Sequence, residues 1–571
     1  MSRRKMRRAR AAAGPPAAAS RDPRFEVLSI VVATAPRIPA ATTVARVLAR
    51  AGLRGWTVEP VARRPGEFEL LPPRRHAPVS PGTAWDITHR LRDQPQVVSA
   101  EPLFEYGVGD QHAPPPRRAS GGGGHDPGTE TDYEWSLKKA NVIEAWGFFG
   151  TRVPGAGATV GHPDTGYTPH PELADPARVL VGQGFDFEDD DPDPLDDLDD
   201  APLDNPGHGT GTGSVIASNR GAAVGNNGPA FVSGAAPGAS LIPIRTTASV
   251  VLFSMRGLCR AIDHATARGA HVISISLGGP WPSAALRRAV EDAVSAGVIV
   301  LAAAGNHVRF VVFPAALEEV IAVAASTIRD EPWSGSSRGD AVDITAPGAS
   351  VWRAEVTRDA SGRLLYDVKR GNGTSFAVAT TAGIAALWVS RHGWAALERQ
   401  YGAPNIARVF KQLLQDTCRR RPGWDTENYG PGIVDAAKLL GARLPETPPA
   451  RRLRDARRPL VAMDATGVES LVHLMPEASR TEIERAIAEL LRVDDRALPR
   501  ALQEVGDELV FQLVMHPALL ATVERRARAR RAAAGPPARA RMLALTRREM
   551  SGRLRAMIVG ARRPRRAPRR P

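Results

Sequence analysis

Between Tyr133 and about Leu440, short apolar runs alternate with helical patterns, and no other feature of the 571-residue chain restricts its fold as strongly. The runs are Ala158 to Val160, Leu241 to Arg245, Val272 to Leu277, Val298 to Ala303, Val320 to Ala324 and Val342 to Ala346. Helical patterns between them include Val251 to Arg268, Ser283 to Ala296 and Phe376 to Ser390. Strands apolar on both faces must be covered on both faces, and a helix between successive strands lets them run parallel. The fold class expected is therefore α/β, a parallel sheet flanked by helices. Functional groups of such sheets collect at the carboxyl ends of the strands.

Four stretches carry chemistry at those places. The first run continues as Val160-Gly-His-Pro-Asp164-Thr-Gly, so a strand finishes in an aspartate held by a turn. In Gly207-His208-Gly-Thr-Gly-Thr-Gly, a histidine opens a small-residue helix. Ala302-Ala303-Ala304-Gly305-Asn306 ends a strand in an asparagine. In Gly371-Asn-Gly-Thr-Ser375-Phe-Ala, two glycines deliver a serine to a helix start, where free N–H groups and the positive dipole end lie beside its hydroxyl. Singly, each has an ordinary structural explanation as a turn former or cap. Together they supply a base, a group to orient it, a nucleophile and an oxyanion donor. A rival serine, Ser337 in Gly335-Ser-Ser-Arg-Gly339, lacks the strand before and helix after that an esterase elbow requires, and reads as a loop residue.

In this combination and order the residues resemble those of the subtilisin-like serine proteases. The resemblance spans roughly residues 133 to 440 and includes Ser276-Leu277-Gly278-Gly279, Phe313-Pro-Ala315 and Val342-Asp-Ile-Thr-Ala-Pro-Gly348. It implies a serine endopeptidase in which Asp164 orients His208, His208 takes the proton of Ser375, and Asn306 with the Ser375 N–H holds the oxyanion. It also implies that Ser276, Leu277, Gly278, Gly279, Ala303, Ala304 and Gly305 pair with an extended polypeptide substrate and wall its pocket, and that no cofactor is required. The chain departs from the family where His162 and Pro163 precede Asp164, and where Phe376, Ala379 and Thr380 follow Ser375 in place of Met, Pro and His.

Residues 25 to 106 read as βαββαβ, with helical patterns at Thr42 to Ala51 and Thr83 to Arg92, an order that suggests a small ferredoxin-like α+β domain. Less specifically, they resemble the family's inhibitory prodomain, which implies a zymogen with its own N-terminal domain as intramolecular inhibitor. Residues 107 to 132, with Pro-Pro-Pro and four consecutive glycines, form a flexible linker and the implied cleavage zone. Beyond the catalytic domain at 133 to 441, a separate all-α module is expected at 445 to 530, beginning with the capping box Ser479-Arg-Thr-Glu482. Such a module can dock on the protease or recruit a protein partner, and no chemistry is visible in it.

Formal charge is +14, with +7 in residues 1 to 24 and +16 in residues 525 to 571, which leaves −9 for the body. The 1 to 24 arm and the 531 to 571 tail read as largely disordered. Basic tails of this kind keep open a second class of function, a degenerate protease scaffold that binds nucleic acid or a membrane surface. Residues 186 to 204 hold eleven Asp or Glu. Calcium, a basic substrate or the protein's own arginine-rich tails, or plain solvation would each relieve their repulsion, and no EF-hand spacing selects among them. Cys259 and Cys418 are the only cysteines, so no disulfide framework is expected. No run is long and apolar enough to span a membrane. The expected location is cytoplasmic, with export as the alternative suggested by the paired arginines at the N-terminus.

Overall fold

The computed structural model describes residues 24–34, 48–53, 55–61, 64, 66–73, 79–107, 128–129, 131–199, 204–219, 222–223, 231–252, 255–280, 283–359, 361–449, 471–472, 474–475, 478–529, 538–545 and 549–559. They belong to two compact units, one within 111–455 and the other made of 21–110 together with 456–571.

The N-terminal part of the second unit is a four-stranded antiparallel sheet of β1 (Arg24–Thr34), β2 (Thr57–Pro60), β3 (Glu67–Leu71) and β4 (Val97–Gly107), in the order β2-β3-β1-β4. Helix α1 (Pro81–Arg92) is capped by Ser80, whose hydroxyl accepts the Thr83 N–H, and Pro81 sits at its start, where no intrahelical N–H is needed. Most of the first expected helix, residues 42 to 47, lies outside the described residues, and residues 48–50 are helical.

The larger unit is built on a seven-stranded sheet in the order β13-β12-β11-β10-β5-β9-β6. Its strands are β5 (Thr159–Asp164), β6 (Phe185–Asp186), β9 (Ser240–Arg245), β10 (Val272–Ile275), β11 (Ile299–Ala303), β12 (Ile321–Ser326) and β13 (Ile344–Pro347). Every pairing in it is parallel. Two small antiparallel pairs lie outside it: β7 (Ala222–Ala223) with β8 (Phe231–Val232), and β14 (Val351–Arg358) with β15 (Leu364–Gly371). The hairpin of β14 and β15 was not expected from the sequence. It leads straight into the Ser375 turn.

Pro163 in the sheet has a simple account. Along β5 the even-numbered carbonyls face β9, as Ala158 and Asp164 show by accepting the Ser240 and Thr246 N–H groups. Odd-numbered residues face β10, as Thr159 shows by accepting the His271 N–H. Pairing with β10 ends at Gly161, so the N–H that Pro163 lacks is one the ladder no longer uses.

Helix α2 (His208–Ala217), α3 (Arg256–Ala267), α4 (Ala284–Ser295), α5 (Thr374–His392) and α6 (Ala403–Thr417) cover this sheet or flank it. α5 is apolar on nearly every side, and a helix of that kind is stable only when enclosed. It is enclosed: Trp388 is 0% exposed, Thr374 to Val389 are all buried, and the apolar residues from Phe376 onward lie in the core that includes Val323, Ile344 and Phe410.

The described residues after 470 include five helices, α7 (Arg480–Leu491), α8 (Leu498–Met515), α9 (Pro517–Arg528), α10 (Ala538–Ala544) and α11 (Gly552–Val559). Ser479 and Glu482 form the expected capping box at α7. Two expectations are corrected here. The helices are not a domain apart from the N-terminal sheet: Phe511 of α8 lies in the same core as Ile30, Leu70, Trp85 and Leu91. Nor is the whole 531 to 571 tail without structure, since α10 and α11 form within it. The short amphipathic turns there find a core that local sequence does not reveal.

Candidate active site

Parallel order carries Asp164 to the carboxyl end of β5, where its side chain is wholly buried. Its carboxylate accepts three hydrogen bonds. Oδ1 takes Nδ1–H of His208 at 2.7 Å and the Thr165 N–H at 2.8 Å, and Oδ2 takes the Thr212 hydroxyl at 3.0 Å. Burial alone would raise this carboxyl's pKa, but the adjacent His208 and these donors hold it below the usual range. The Nε2–H of His162, also buried, points at the Thr212 oxygen from 3.0 Å. Burial lowers the His162 pKa and keeps the ring neutral, so it donates without adding a charge.

His208 opens α2 directly after Gly207, whose φ of +73° only glycine adopts readily. The next residue must also be small, because a Cβ on Gly209 would stand 2.1 Å from the Gly166 carbonyl oxygen. The helix start therefore rests against the turn after Asp164, and the histidine reaches its carboxylate. The imidazole is partly exposed and lies 6.5 Å, centroid to centroid, from the ring of Phe376, the residue after Ser375.

Ser375 sits in the first turn of α5 and is largely buried, and its carbonyl accepts the Ser276 hydroxyl at 3.3 Å. Asn306 is fixed from the same turn. Its Oδ1 accepts the Thr374 N–H at 3.0 Å and the Thr374 hydroxyl at 2.9 Å. With the oxygen committed, the amide Nδ2 is left as donor. A Cβ on Gly373 would lie 3.6 Å from both Asn306 Nδ2 and Ser375 N, so two N–H donors converge on one small space that the glycine keeps open. A pair of donors around such a space can stabilise a developing oxyanion.

The other segments are placed as follows. Ser276 and Leu277 are buried, and Gly278 is half-buried. Gly278 donates to Val250 O and accepts the Leu252 N–H, while Gly279 exchanges both its bonds with Phe313. Ala303 and Ala304 are buried; Ala304 donates to Val323 O and accepts from Val312, and Gly305 bonds Thr374 Oγ1 and the Ser337 N–H. The 304 to 305 backbone is thus committed internally. Ser337 is a buried loop residue whose hydroxyl donates to Val308 O at 3.1 Å.

Among the described residues of the acidic insert, three carboxylates meet one buried cation. Arg245, at the end of β9, is buried and meets Asp186 at 2.6 Å, Asp189 at 2.9 Å and Asp197 at 3.2 Å. Burial would lower the guanidinium's pKa, but the three carboxylates raise it, and burial raises the Asp186 carboxyl despite the arginine. Asp190 pairs with Arg260 at 2.9 Å. Arg245 and Arg260 belong to the same unit as the insert and not to the basic tails, and among the described residues no cluster of three or more His, Cys, Asp or Glu is arranged to hold a metal ion.

One acidic residue of the insert reaches the site. Asp196 Oδ2 accepts the Gly207 N–H at 2.8 Å and the Thr165 hydroxyl at 3.1 Å, and Thr165 Oγ1 accepts the Gly209 N–H at 3.1 Å. It ties the turn after Asp164 to the residues on either side of His208. Sequence reasoning missed it, since one aspartate among eleven carries no local signal. Thr212 was missed as well, although four residues after His208 on a helix places it on the same face.

The sequence profile of the subtilase family matches residues 155–433. Thermitase of Thermoactinomyces vulgaris is 32% identical over 260 residues, covering 45% of this chain and 82% of that protein. Subtilisin Savinase of Lederbergia lenta is 30% identical over 284 residues, covering 49% and 90%. Among solved structures, fervidolysin from Fervidobacterium pennivorans, a keratinolytic enzyme related to subtilisin, superimposes with a TM-score of 0.52 at 21% identity over 74% of this chain and 62% of that one, a likeness of fold. The ordered motifs, the parallel sheet that gathers them and these matches lead to one conclusion: the chain belongs to the subtilase family, and is a subtilisin-like serine protease.

Proposed function

We propose that the protein is an endopeptidase made as a zymogen, hydrolysing peptide bonds through Asp164, His208 and Ser375 with an acyl-enzyme intermediate. His208 accepts the Ser375 hydroxyl proton as the oxygen attacks the carbonyl carbon, then returns it to the leaving amine. Water then attacks the acyl-enzyme with the same base. Asp164 keeps the imidazole in the tautomer whose Nε2 is free to accept. The Asn306 amide and the Ser375 N–H receive the oxyanion. A peptide adding as a strand beside 276 to 279 finds Gly278 already paired, so it must displace Val250 to Leu252 from that glycine or bind beside Ser276 and Leu277.

The observation that carries this reading is the 2.7 Å bond from a partly exposed histidine to a buried carboxylate, with an oriented amide beside the Ser375 N–H. Labelling with a fluorophosphonate tests it: the wild type should react at Ser375 and Ser375→Ala should not. A wild-type protein that stays unlabelled after removal of residues 25–106 overturns it.

For residues 25–106 the supporting observation is the strand order β4-β1-β3-β2 with antiparallel pairing, the sheet of a ferredoxin-like domain. The zymogen reading requires a new N-terminus between about residues 107 and 132 in purified wild-type protein, absent from Ser375→Ala. An active but uncut enzyme excludes it.

A further inference from the structure

The N-terminal sheet and the C-terminal helices share one folded body, and its joints are specific. Glu508 of α8 is 0% exposed, and its carboxylate serves two other segments. Oε2 accepts Nε2–H of His89 in α1 at 2.9 Å and the Ser551 hydroxyl at 2.6 Å, and Oε1 accepts the Ser551 N–H at 2.7 Å. A buried carboxylate stripped of these donors would be left with uncompensated charge, so the three segments stand or fall together. Beside this network, Phe511 packs on Trp85 with ring centroids 6.1 Å apart. At the margin, Asp86 accepts the Gly552 N–H at 2.9 Å, Arg92 meets Asp507 at 2.7 Å, and Arg553 bonds Asp93.

We infer that the C-terminal helices are the holding surface for the N-terminal sheet, so that a cut in the 107 to 132 linker leaves the sheet bound to the chain. Covalent continuity between the two units runs through 108 to 127 on one side and 450 to 470 on the other. After the first cut, the N-terminal fragment is still fastened through α8 and α11, and those helices remain joined to the protease. Freeing the composite body from the protease takes a second cut, in the stretch that begins Ala450-Arg-Arg-Leu-Arg. The inference rests on the zymogen reading for its role in maturation, but the attachment itself does not depend on self-cleavage.

The test uses the full chain with Ser375→Ala, one foreign protease site placed in 111 to 127, a second, orthogonal site in 456 to 466, and a tag at the C-terminus. After both cuts, the tag should capture the N-terminal fragment, and Glu508→Ala and Phe511→Ala should each lose it. Cysteines introduced at Asp93 and Arg553 should join the two terminal fragments through a short bis-maleimide after gel filtration, a readout that needs no destabilised variant. Absence of the N-terminal fragment from the tagged pool, equal capture by both variants, or failure of the cross-link overturns the inference. Because added proteases make the cuts, failure here is distinct from failure of the zymogen reading, which is read from the N-terminus of the wild-type protein.

Discussion

At the scale of single residues, the site depends on side chains whose own partners fix them. Asn306 can present its amide because Thr374 occupies its oxygen from two directions. Asn306→Ala should lower kcat by about 10²- to 10³-fold with little change in KM, the magnitude known for the corresponding amide in a subtilisin. Steady-state kinetics on a peptide anilide checks this, and a loss confined to KM would assign the amide to ground-state binding. Asp196 acts one step further out, through Thr165 and Gly207. Asp196→Asn keeps the volume but offers an N–H₂ or a single oxygen where two donors now converge. It should lower kcat by roughly tenfold, because small misplacements of His208, the proposed base, are costly in rate, with a smaller change in KM. An unchanged kcat would reduce Asp196 to a loop residue.

At the scale of elements, buried titratable groups make individual segments sensitive to pH. Glu172, before Leu173 in the turn after β5, is bonded to the Ser218 hydroxyl and accepts the Val232 N–H at 2.9 Å. Burial pushes its carboxyl up to about 7 against these bonds. The folded protein therefore holds a proton there that the unfolded chain has released. Glu172 alone makes stability fall as pH rises from about 4.5 to about 7, by on the order of 3 kcal/mol in total. His170, whose Nδ1 accepts the Glu172 N–H at 3.1 Å, works in the opposite sense. Burial lowers its pKa to about 4, so its stabilising effect is lost as pH falls through the range below 6.5. Glu172→Gln removes only the first dependence. The thermal midpoint of the variant relative to wild type should accordingly rise between about pH 5 and pH 8. A difference constant across that range would mean that Glu172 does not titrate there.

At the scale of the whole molecule, two cores are drawn from a chain that enters one of them twice. Phe511→Ala should cost about 3 to 4 kcal/mol in the core shared by the N-terminal sheet and the C-terminal helices. Calorimetry should show that loss in one transition, with the transition of the subtilase unit in place; an equal shift of both would show that the two cores unfold as one.

Legibility from sequence followed the range of the interactions. Strand-forming runs, the capping box at Ser479 and the turns that present Asp164, His208, Asn306 and Ser375 are written locally, because period, glycine and cap chemistry act over a few residues. Even the four site residues, far apart along the chain, could be proposed together, since a parallel sheet brings the carboxyl ends of its strands to one edge. Three things lay beyond that range. Asp196 was one acid among eleven until the fold set it between Thr165 and Gly207. Arg245 gave no sign in the sequence that it would gather Asp186, Asp189 and Asp197. The joining of the N-terminal sheet to the C-terminal helices through Glu508 and Phe511 pairs residues more than four hundred positions apart. Local sequence determined which elements could form and which chemistry they could carry; only tertiary structure decided which buried charges met and which helices closed over the N-terminal sheet, because burial depends on partners that no local pattern names.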